Sequence, residues 1–324
     1  MAETGRDRDS YGSPPRSAWL EVDWSAHRRS VDVEGAAVNT VVCGAGEPAV
    51  CLIHGHDGSW RNWLETIPQL ARHRCVLAPD LPGFGDSPLP RSGRISIPGY
   101  AATVAALCER LGDGAGDKTG AGPRAPFVLV GSSLGGLVAA ELAIRRADLV
   151  ERLVLVSPAG LSNRYMGLPR ALLAHRHAPL RALSWLSAVS GPRARFMARR
   201  VRLRRVGLGA AVRHPEAIAP EIAAILIGAG GRPGSPLAAA AVARHRIADR
   251  LGEVRCPTLI VWGAQDAVVA ASAAERFAAL IPRSRVVILD DSGHLPMLER
   301  PARFNALLEA FLAPDGAGEL GTRR

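Results

Sequence analysis

One stretch restricts the possible folds more than any other: FVLVGSSLGGLVAAELA, residues 127–143. A run of β-forming apolar residues passes through Gly and Ser straight into a run of helical composition, leaving no residues for a loop. A strand that turns directly into a helix is the unit of a parallel sheet, whose neighbouring strands need a helical crossover between them. The rhythm recurs on both sides. AVCLIHG (49–55), CVLAPDLPGFGDS and RLVLVSPAG each hold a short apolar run ending at Gly or Pro, as buried parallel strands do. RNWLETIPQLARH, with Trp63, Ile67 and Leu70 at helical spacing, and IPGYAATVAALCERLG supply helices between them. Upstream, AWLEVDW and AVNTVVCG have strand-like content and predict an N-terminal hairpin. Together these elements read as an α/β chain with helices on both faces of a parallel sheet.

The alternation stops after Gly160. From about 161 to 250 the pattern is helical, in RALLAHRHAPLRALSWLSAV, RARFMARRVRLRRV, EIAAILIGA and LAAAAVARHRIADRL. Strands resume in PTLIVWG and RVVILDD, and RPARFNALLEAFLA predicts a closing helix. A helical block that interrupts an alternating sheet reads as an inserted cap. The expected organisation is a disordered leader (1–17), a core (18–160 and 251–313), a helical cap (161–250) and a disordered tail (314–324). The Gly-rich segment 112–126 reads as a flexible surface connection.

Charge sets the insert apart. Residues 161–250 hold sixteen arginines, no lysine and three acids (Glu216, Glu221 and Asp249), a net +13 in a chain whose total is +10, so the remainder sums to −3. A GC-rich coding bias would explain arginine over lysine, but not the missing acids. Leu172, Leu173, Leu180, Leu183, Trp185 and Leu186 interleave with Arg170, Arg176 and Arg181, which predicts an apolar stripe over a cleft and a solvated cationic face. Such a face also suits an anionic partner: a carboxylate-bearing substrate, an acidic acyl carrier or a lipid surface. No nucleic-acid motif accompanies the charge, and nucleic acid is not an expected partner.

Hydrophobic residues make up 48% of the 324, enough for a sizeable core. The five cysteines (Cys43, Cys51, Cys75, Cys108 and Cys256) are scattered and never in CxxC spacing, which predicts buried free thiols rather than disulfides, and no metal cluster is visible. The first residues lack the apolar core of a secretory signal, and no run is long enough to span a bilayer. The expected location is the cytoplasm.

Gly131-Ser132-Ser133-Leu134-Gly135 fits G-x-S-x-G with Ser133 central. The spacing has a mechanical reason: the turn from strand to helix is so sharp that the central residue is forced into a strained backbone, and the flanking glycines make room for it. The hydroxyl is then presented at the carboxyl end of the sheet beside a helix N-terminus, which favours developing negative charge. A serine needs a base to take its proton. Among nine histidines, His27 and His73 lie in polar segments without a motif. His175, His177, His214 and His245 lie among arginines of the insert, where a solvated face is expected. His294, in DDSGHLPMLERP, directly follows the last predicted strand, at the sheet edge that also carries Ser133. A histidine base needs a carboxylate to hold its tautomer. Asp266 ends LIVWGAQD at the same edge; Asp290 and Asp291, more suited to bridging the loop, and Asp80, suited to tying loops behind the site, are alternatives. For an oxyanion, Leu134 offers one backbone N–H and the HGHDGS loop (54–59) offers a second from His56.

With these residues in view, the chain resembles the α/β-hydrolase superfamily, among its compact capped serine hydrolases. The resemblance runs from about 49 to 313 and is carried, in the family's order, by LIHGHDGSWRNW, DLPGFGDS, VLVGSSLGG, LVLVSPAG, VWGAQDAVV and SGHLPMLERP. It implies a mostly parallel eight-stranded sheet with helices on both faces and an inserted helical cap. It implies Ser133 as nucleophile, Asp266 as acid and His294 as base, with His56 and Leu134 as oxyanion donors and no cofactor or metal. Trp60 in the first block and Trp185, Phe196 and Met197 in the cap are the candidate substrate contacts. The activity implied is hydrolysis of an ester-type acyl bond in a small, largely apolar substrate; carbon–carbon or thioester cleavage by the same triad, or a non-catalytic binding role, are the alternatives.

Overall fold

The computed structural model describes residues 11–14, 16–112, 123–162, 164–165, 168–169 and 189–316. Strands β1 (Arg28–Val33), β2 (Ala36–Cys43), β3 (Val50–Ile53), β4 (Val76–Pro79), β5 (Phe127–Ser132), β6 (Val150–Val156), β9 (Thr258–Gly263) and β10 (Ser284–Leu289) form one sheet; β7 (Arg164–Tyr165) and β8 (Leu168–Pro169) form a separate antiparallel pair. The sheet order is β1-β2-β4-β3-β5-β6-β9-β10. Strand β2 runs antiparallel to both neighbours, and every pairing from β4 to β10 is parallel. The helices are α1 (Trp24–His27), α2 (Ile67–Leu70), α3 (Ile97–Gly112), α4 (Leu134–Arg145), α5 (Gly191–Ala198), α6 (Val201–Leu208), α7 (Pro220–Gly228), α8 (Ser235–Arg244), α9 (Ala273–Leu280), α10 (Pro296–Glu299) and α11 (Pro301–Leu312).

The central strands are apolar throughout because both of their faces are covered. Cys51 and Ile53 of β3, Leu153 and Leu155 of β6, and Ile260 and Trp262 of β9 pack with Val104, Leu137 and Phe277 of α3, α4 and α9. Their neighbours Val50, Leu52, Val154, Val156, Leu259 and Val261 point the other way, onto Trp63, Ile67, Phe304 and Phe311. Consecutive side chains on a strand face opposite sides, so a one-residue register slip would exchange the two cores wholesale.

The N-terminal hairpin forms one element later than expected. AWLEVDW is a 3-10 turn (Ala18–Glu21) followed by α1, and the paired strands are RRSVDV and AAVNTVVC. Trp19 and Trp24 give the segment strand-like content, but the Trp19 indole donates to buried Glu65 (2.7 Å) and the Trp24 indole to the Trp19 carbonyl (3.0 Å), which a turn satisfies. The leader also takes part in the fold from Tyr11: the Gly12 N–H reaches the Glu299 carbonyl (2.7 Å), and Ser17 is buried on Glu65 (2.9 Å). RNWLETIPQLARH is broken into a 3-10 turn at Trp60–Trp63 and the short α2, because Pro68 has no N–H to carry a helix through.

Between β6 and β9 the chain holds the β7–β8 pair and α5 to α8, so this segment is not wholly helical. Of the helix expected over 170–189, residues 170–188, Trp185 among them, lie outside the described residues. RARFMARRVRLRRV forms two helices, with Arg200 extended between them. Ala194, Ala198, Leu208, Ile222 and Ile227 bury against the same core as α11, and Ala238 and Val242 of α8 join the opposite one. All five cysteines are free, four of them buried. Among the described residues no helix is long and apolar enough to cross a membrane, and no group of His, Cys, Asp and Glu could hold a metal ion.

Candidate active site

The site assembles where parallel strands end. Backbone bonds tie the ends together: Ser133 N–H to the Val156 carbonyl (2.9 Å), then Ser157 N–H to the Val261 carbonyl (2.9 Å), so the tips of β5, β6 and β9 form one ledge. Ser132 is fully buried as the last residue of β5. Ser133, the next residue, sits at φ +52° and ψ −112°, a conformation an L-residue adopts only under constraint. The constraint comes from glycines that admit backbone where a side chain would collide: a Cβ on Gly135 would lie 2.2 Å from the Ile53 carbonyl oxygen, and one on Gly131 would lie 2.3 Å from the Gly135 oxygen. Helix α4 starts at Leu134, so its first N–H groups are turned toward the serine side of the turn. Ser133 is 4% exposed, and its hydroxyl makes no hydrogen bond to another described residue.

Asp266 and His294 come from the two loops that follow β9 and β10. Nδ1 of His294 and Oδ2 of Asp266 are 2.7 Å apart. The other carboxylate oxygen accepts the N–H groups of Val268 and Val269, both at 2.9 Å, so the carboxylate cannot rotate without losing two bonds. With Nδ1–H donated to Asp266, Nε2 of the neutral ring is the bare nitrogen. Neither side chain is more than 7% exposed. Gly263 lets the two loops cross: a Cβ there would stand 2.0 Å from the Gly293 oxygen. The crossing is fastened by Gln265 N–H to the Ser292 carbonyl (2.8 Å) and Ser292 N–H to the Gln265 side chain (3.0 Å).

The HGHDGS loop grazes the serine, since a Cβ on Gly55 would lie 3.2 Å from the Ser133 Cβ. His54 is fully buried, with Nδ1 on the Gly55 carbonyl (2.7 Å) and Nε2 accepting the Leu81 N–H (2.9 Å). Burial lowers its pKa, so it is a neutral tie between loops. His56, its pKa likewise lowered by burial, meets Ser235 Oγ at 2.9 Å across the sequence, at the start of α8. Nothing in the sequence near either residue announces that pairing.

The remaining candidates are held as follows. Asp80 accepts from Trp60 N–H, Asn39 Nδ2 and Asp86 N–H, all at 2.8 Å, and so ties strand β2 to the loops that follow β3 and β4. Asp291 bridges His214 and Arg300, each at 2.6 Å, and Asp290 is exposed. Trp60 is buried, its ring stacked against Trp24 and under Arg61. Met197 is partly buried between α5 and Gly207 of α6, and Phe196 is 54% exposed with the Arg200 guanidinium 4.4 Å over its ring. The solvated reading of His245 does not hold: its ring is 3.2 Å from Glu141, a fully buried acid of α4 that also binds Arg145 and Arg250. A lone Glu in the apolar helix LVAAELA was the signal for that cluster. Glu299, also buried, binds the N–H groups on both sides of His294 and was likewise not anticipated.

The sequence matches the alpha/beta hydrolase family over residues 50–307. A dihydrolipoyllysine-residue acetyltransferase component of the acetoin cleaving system from Cupriavidus necator is 29% identical over 94% of this chain and 73% of its own length. A 2-hydroxy-6-oxo-2,4-heptadienoate hydrolase from Pseudomonas putida is 28% identical over 89% of this chain and 96% of its own. A solved thermophilic esterase from Thermogutta terrifontis superposes with a TM-score of 0.64 at 25% identity, covering 91% of this chain and 99% of that one. Matched over most of its length and folded around the same mostly parallel eight-stranded sheet, the chain belongs to the alpha/beta hydrolase family.

Proposed function

We propose that this hydrolase cleaves an ester-type acyl bond of a small, largely apolar substrate through Ser133, His294 and Asp266. The observation that carries the reading is the 2.7 Å bond between Asp266 and His294 at the edge where Ser133 is held at positive φ. His294 Nε2 takes the Ser133 proton as Oγ attacks the acyl carbon, and Asp266 holds the ring and stabilises the imidazolium. The oxyanion is held by the N–H groups of Leu134 and His56, one from each side of the Gly55–Ser133 contact. The imidazolium then protonates the leaving alcohol. A water molecule, deprotonated by the same nitrogen, releases the acyl group from Ser133. No cofactor or metal enters any of these steps.

The test is turnover of p-nitrophenyl acyl esters together with labelling by a fluorophosphonate. Ser133→Ala is expected to abolish both; turnover that survives this substitution, or a label found on another residue, overturns the assignment. A second reading, carbon–carbon cleavage by the same triad, is favoured by the likeness to the Pseudomonas putida hydrolase. A panel of short acyl esters and vinylogous 1,5-diketones separates the two.

A further inference from the structure

Glu299 gathers four donors onto one carboxylate. Oε1 accepts the Leu295 N–H (2.9 Å), and Oε2 accepts the N–H groups of Gly293 and Arg213 (both 2.8 Å) and the phenol of Tyr11. The amide between them, that of His294, donates to the Ala211 carbonyl (2.9 Å). Three consecutive N–H groups, 293 to 295, are therefore clamped, two by one buried side chain and one by the segment that precedes α7. Tyr11 closes the frame: its oxygen also accepts the His214 N–H (2.9 Å), and its ring packs edge-on against His214 and under Arg300. Gly12 fits beneath because it has no side chain, since a Cβ there would lie 2.5 Å from the Ala217 oxygen. Burial and the neighbouring Glu299 carboxylate raise the Tyr11 pKa, which keeps the phenol protonated and donating.

We propose that Tyr11 and Glu299 form a brace that positions His294, so that the segment ahead of the hydrolase core completes the catalytic base. The proposal rests on the assignment of His294 as base. His294 must hold Nδ1 on Asp266 while Nε2 stays in line with Ser133 Oγ; the Gln265–Ser292 crossing holds the loop before it, and the amides on its two sides are held by Glu299. Neither Tyr11 nor Glu299 touches the reacting atoms; both act through the placement of one ring.

The experiment compares Tyr11→Phe, Glu299→Gln, the double variant and Ser133→Ala, reading kcat and KM on a p-nitrophenyl ester, the rate and stoichiometry of fluorophosphonate labelling, and Tm. Tyr11→Phe is expected to lower kcat and the labelling rate about 3–10-fold, and Glu299→Gln about 30–100-fold, with KM within about twofold, because displacement of a catalytic group by an ångström costs roughly two orders of magnitude. The double variant should be at most about twofold worse than Glu299→Gln, since the phenol's bond to the clamp on residues 293–295 is the one to that carboxylate, its other bond being from the His214 N–H. Wild-type kcat in Tyr11→Phe, alongside an inert Ser133→Ala, overturns the brace and leaves the triad standing; an active Ser133→Ala overturns the triad itself. A purely structural role would lower the labelled fraction while leaving the rate per labelled site unchanged, and that result also overturns the brace. If Glu299→Gln does not fold, Tyr11→Phe decides alone.

Discussion

Two surfaces of this molecule treat their polar side chains in opposite ways. At the ledge formed by β5, β6 and β9 and the loops around it, both oxygens of Asp266 and of Glu299 are engaged, and both acids are bonded to the loop that carries His294. On the outer face of α5 and α6, Arg193, Arg195, Arg199, Arg200 and Arg202 are exposed with no acid paired to them among the described residues, and Phe196 and Val206 (54% and 82% exposed) stand between them. A groove of about 510 Å³ opens among Pro192, Arg195, Phe196, Arg199 and Arg200. The ledge is a geometry with one solution, and the outer face is a composition with many. Chemistry that depends on placement within an ångström belongs on the first kind of surface, and a face that tolerates substitution can follow whatever the protein meets.

The sharpest way to break this contrast is to disturb placement at the ledge without changing its shape. Asp266→Asn should lower kcat by about 10³–10⁴-fold, because the amide presents a donor to Nδ1 and favours the wrong tautomer. Steady-state kinetics on a soluble ester checks it, and a loss below about tenfold would mean the carboxylate is not the partner the base depends on. Gly263→Ala follows, with a stability loss of roughly 1–3 kcal/mol from overpacking, since its new Cβ meets the Gly293 oxygen and must part the crossed loops. Denaturant unfolding measures that loss, and turnover should fall with it.

Glu141 marks a seam of its own, where the chain returns to the sheet, holding Arg250 and His245 against α4. Burial pushes its carboxyl up, but hydrogen bonds from His245, Arg145 and Arg250 outweigh this and hold the pKa down to about 2. A depressed acid stabilises the fold above its unfolded value near 4.5 and ceases to as the pH falls toward 2. Glu141→Gln should therefore cost about 2 kcal/mol at neutral pH, discounted for its half-exposed arginines, and flatten the acid limb of a stability–pH curve between those values. An unchanged acid limb would contradict the seam. Smallest of all, Phe196→Ser combined with Arg199→Ala should change Tm by under about 2 °C and soluble-ester turnover by under twofold, since neither side chain is buried. A large loss in either readout would erase the distinction between the two surfaces.

The same contrast decides what could be read from residues alone. The parallel strands were legible because burial on both faces leaves a continuous apolar run, and the Gly-Ser-Ser-Leu-Gly turn because its steric demands are local. His294 and Asp266 were legible by position, each following a strand. What could not be read are partners supplied from far along the chain. Trp19 and Trp24 read as strand residues by composition until Glu65 is known to receive an indole. His245 sits in an arginine-rich sequence, yet its nearest acid lies on α4. Glu299 is a single acid in HLPMLERP, and its four donors come from three separate segments. Local pattern reports burial and turn geometry, whereas a buried carboxylate's ligands are a property of the assembled fold.

The backbone of Ser133 has a consequence for anyone who evolves this protein. At φ +52° the residue sits where only glycine is comfortable, and glycine there would release about 1–3 kcal/mol of strain. Selection for heat resistance alone would reward that exchange and, with Ser133 as the proposed nucleophile, return a sturdier, inert protein. Screens for thermostable descendants of this chain therefore need an activity gate at every round, because a strained joint of the fold and the hydroxyl we propose as nucleophile occupy the same residue.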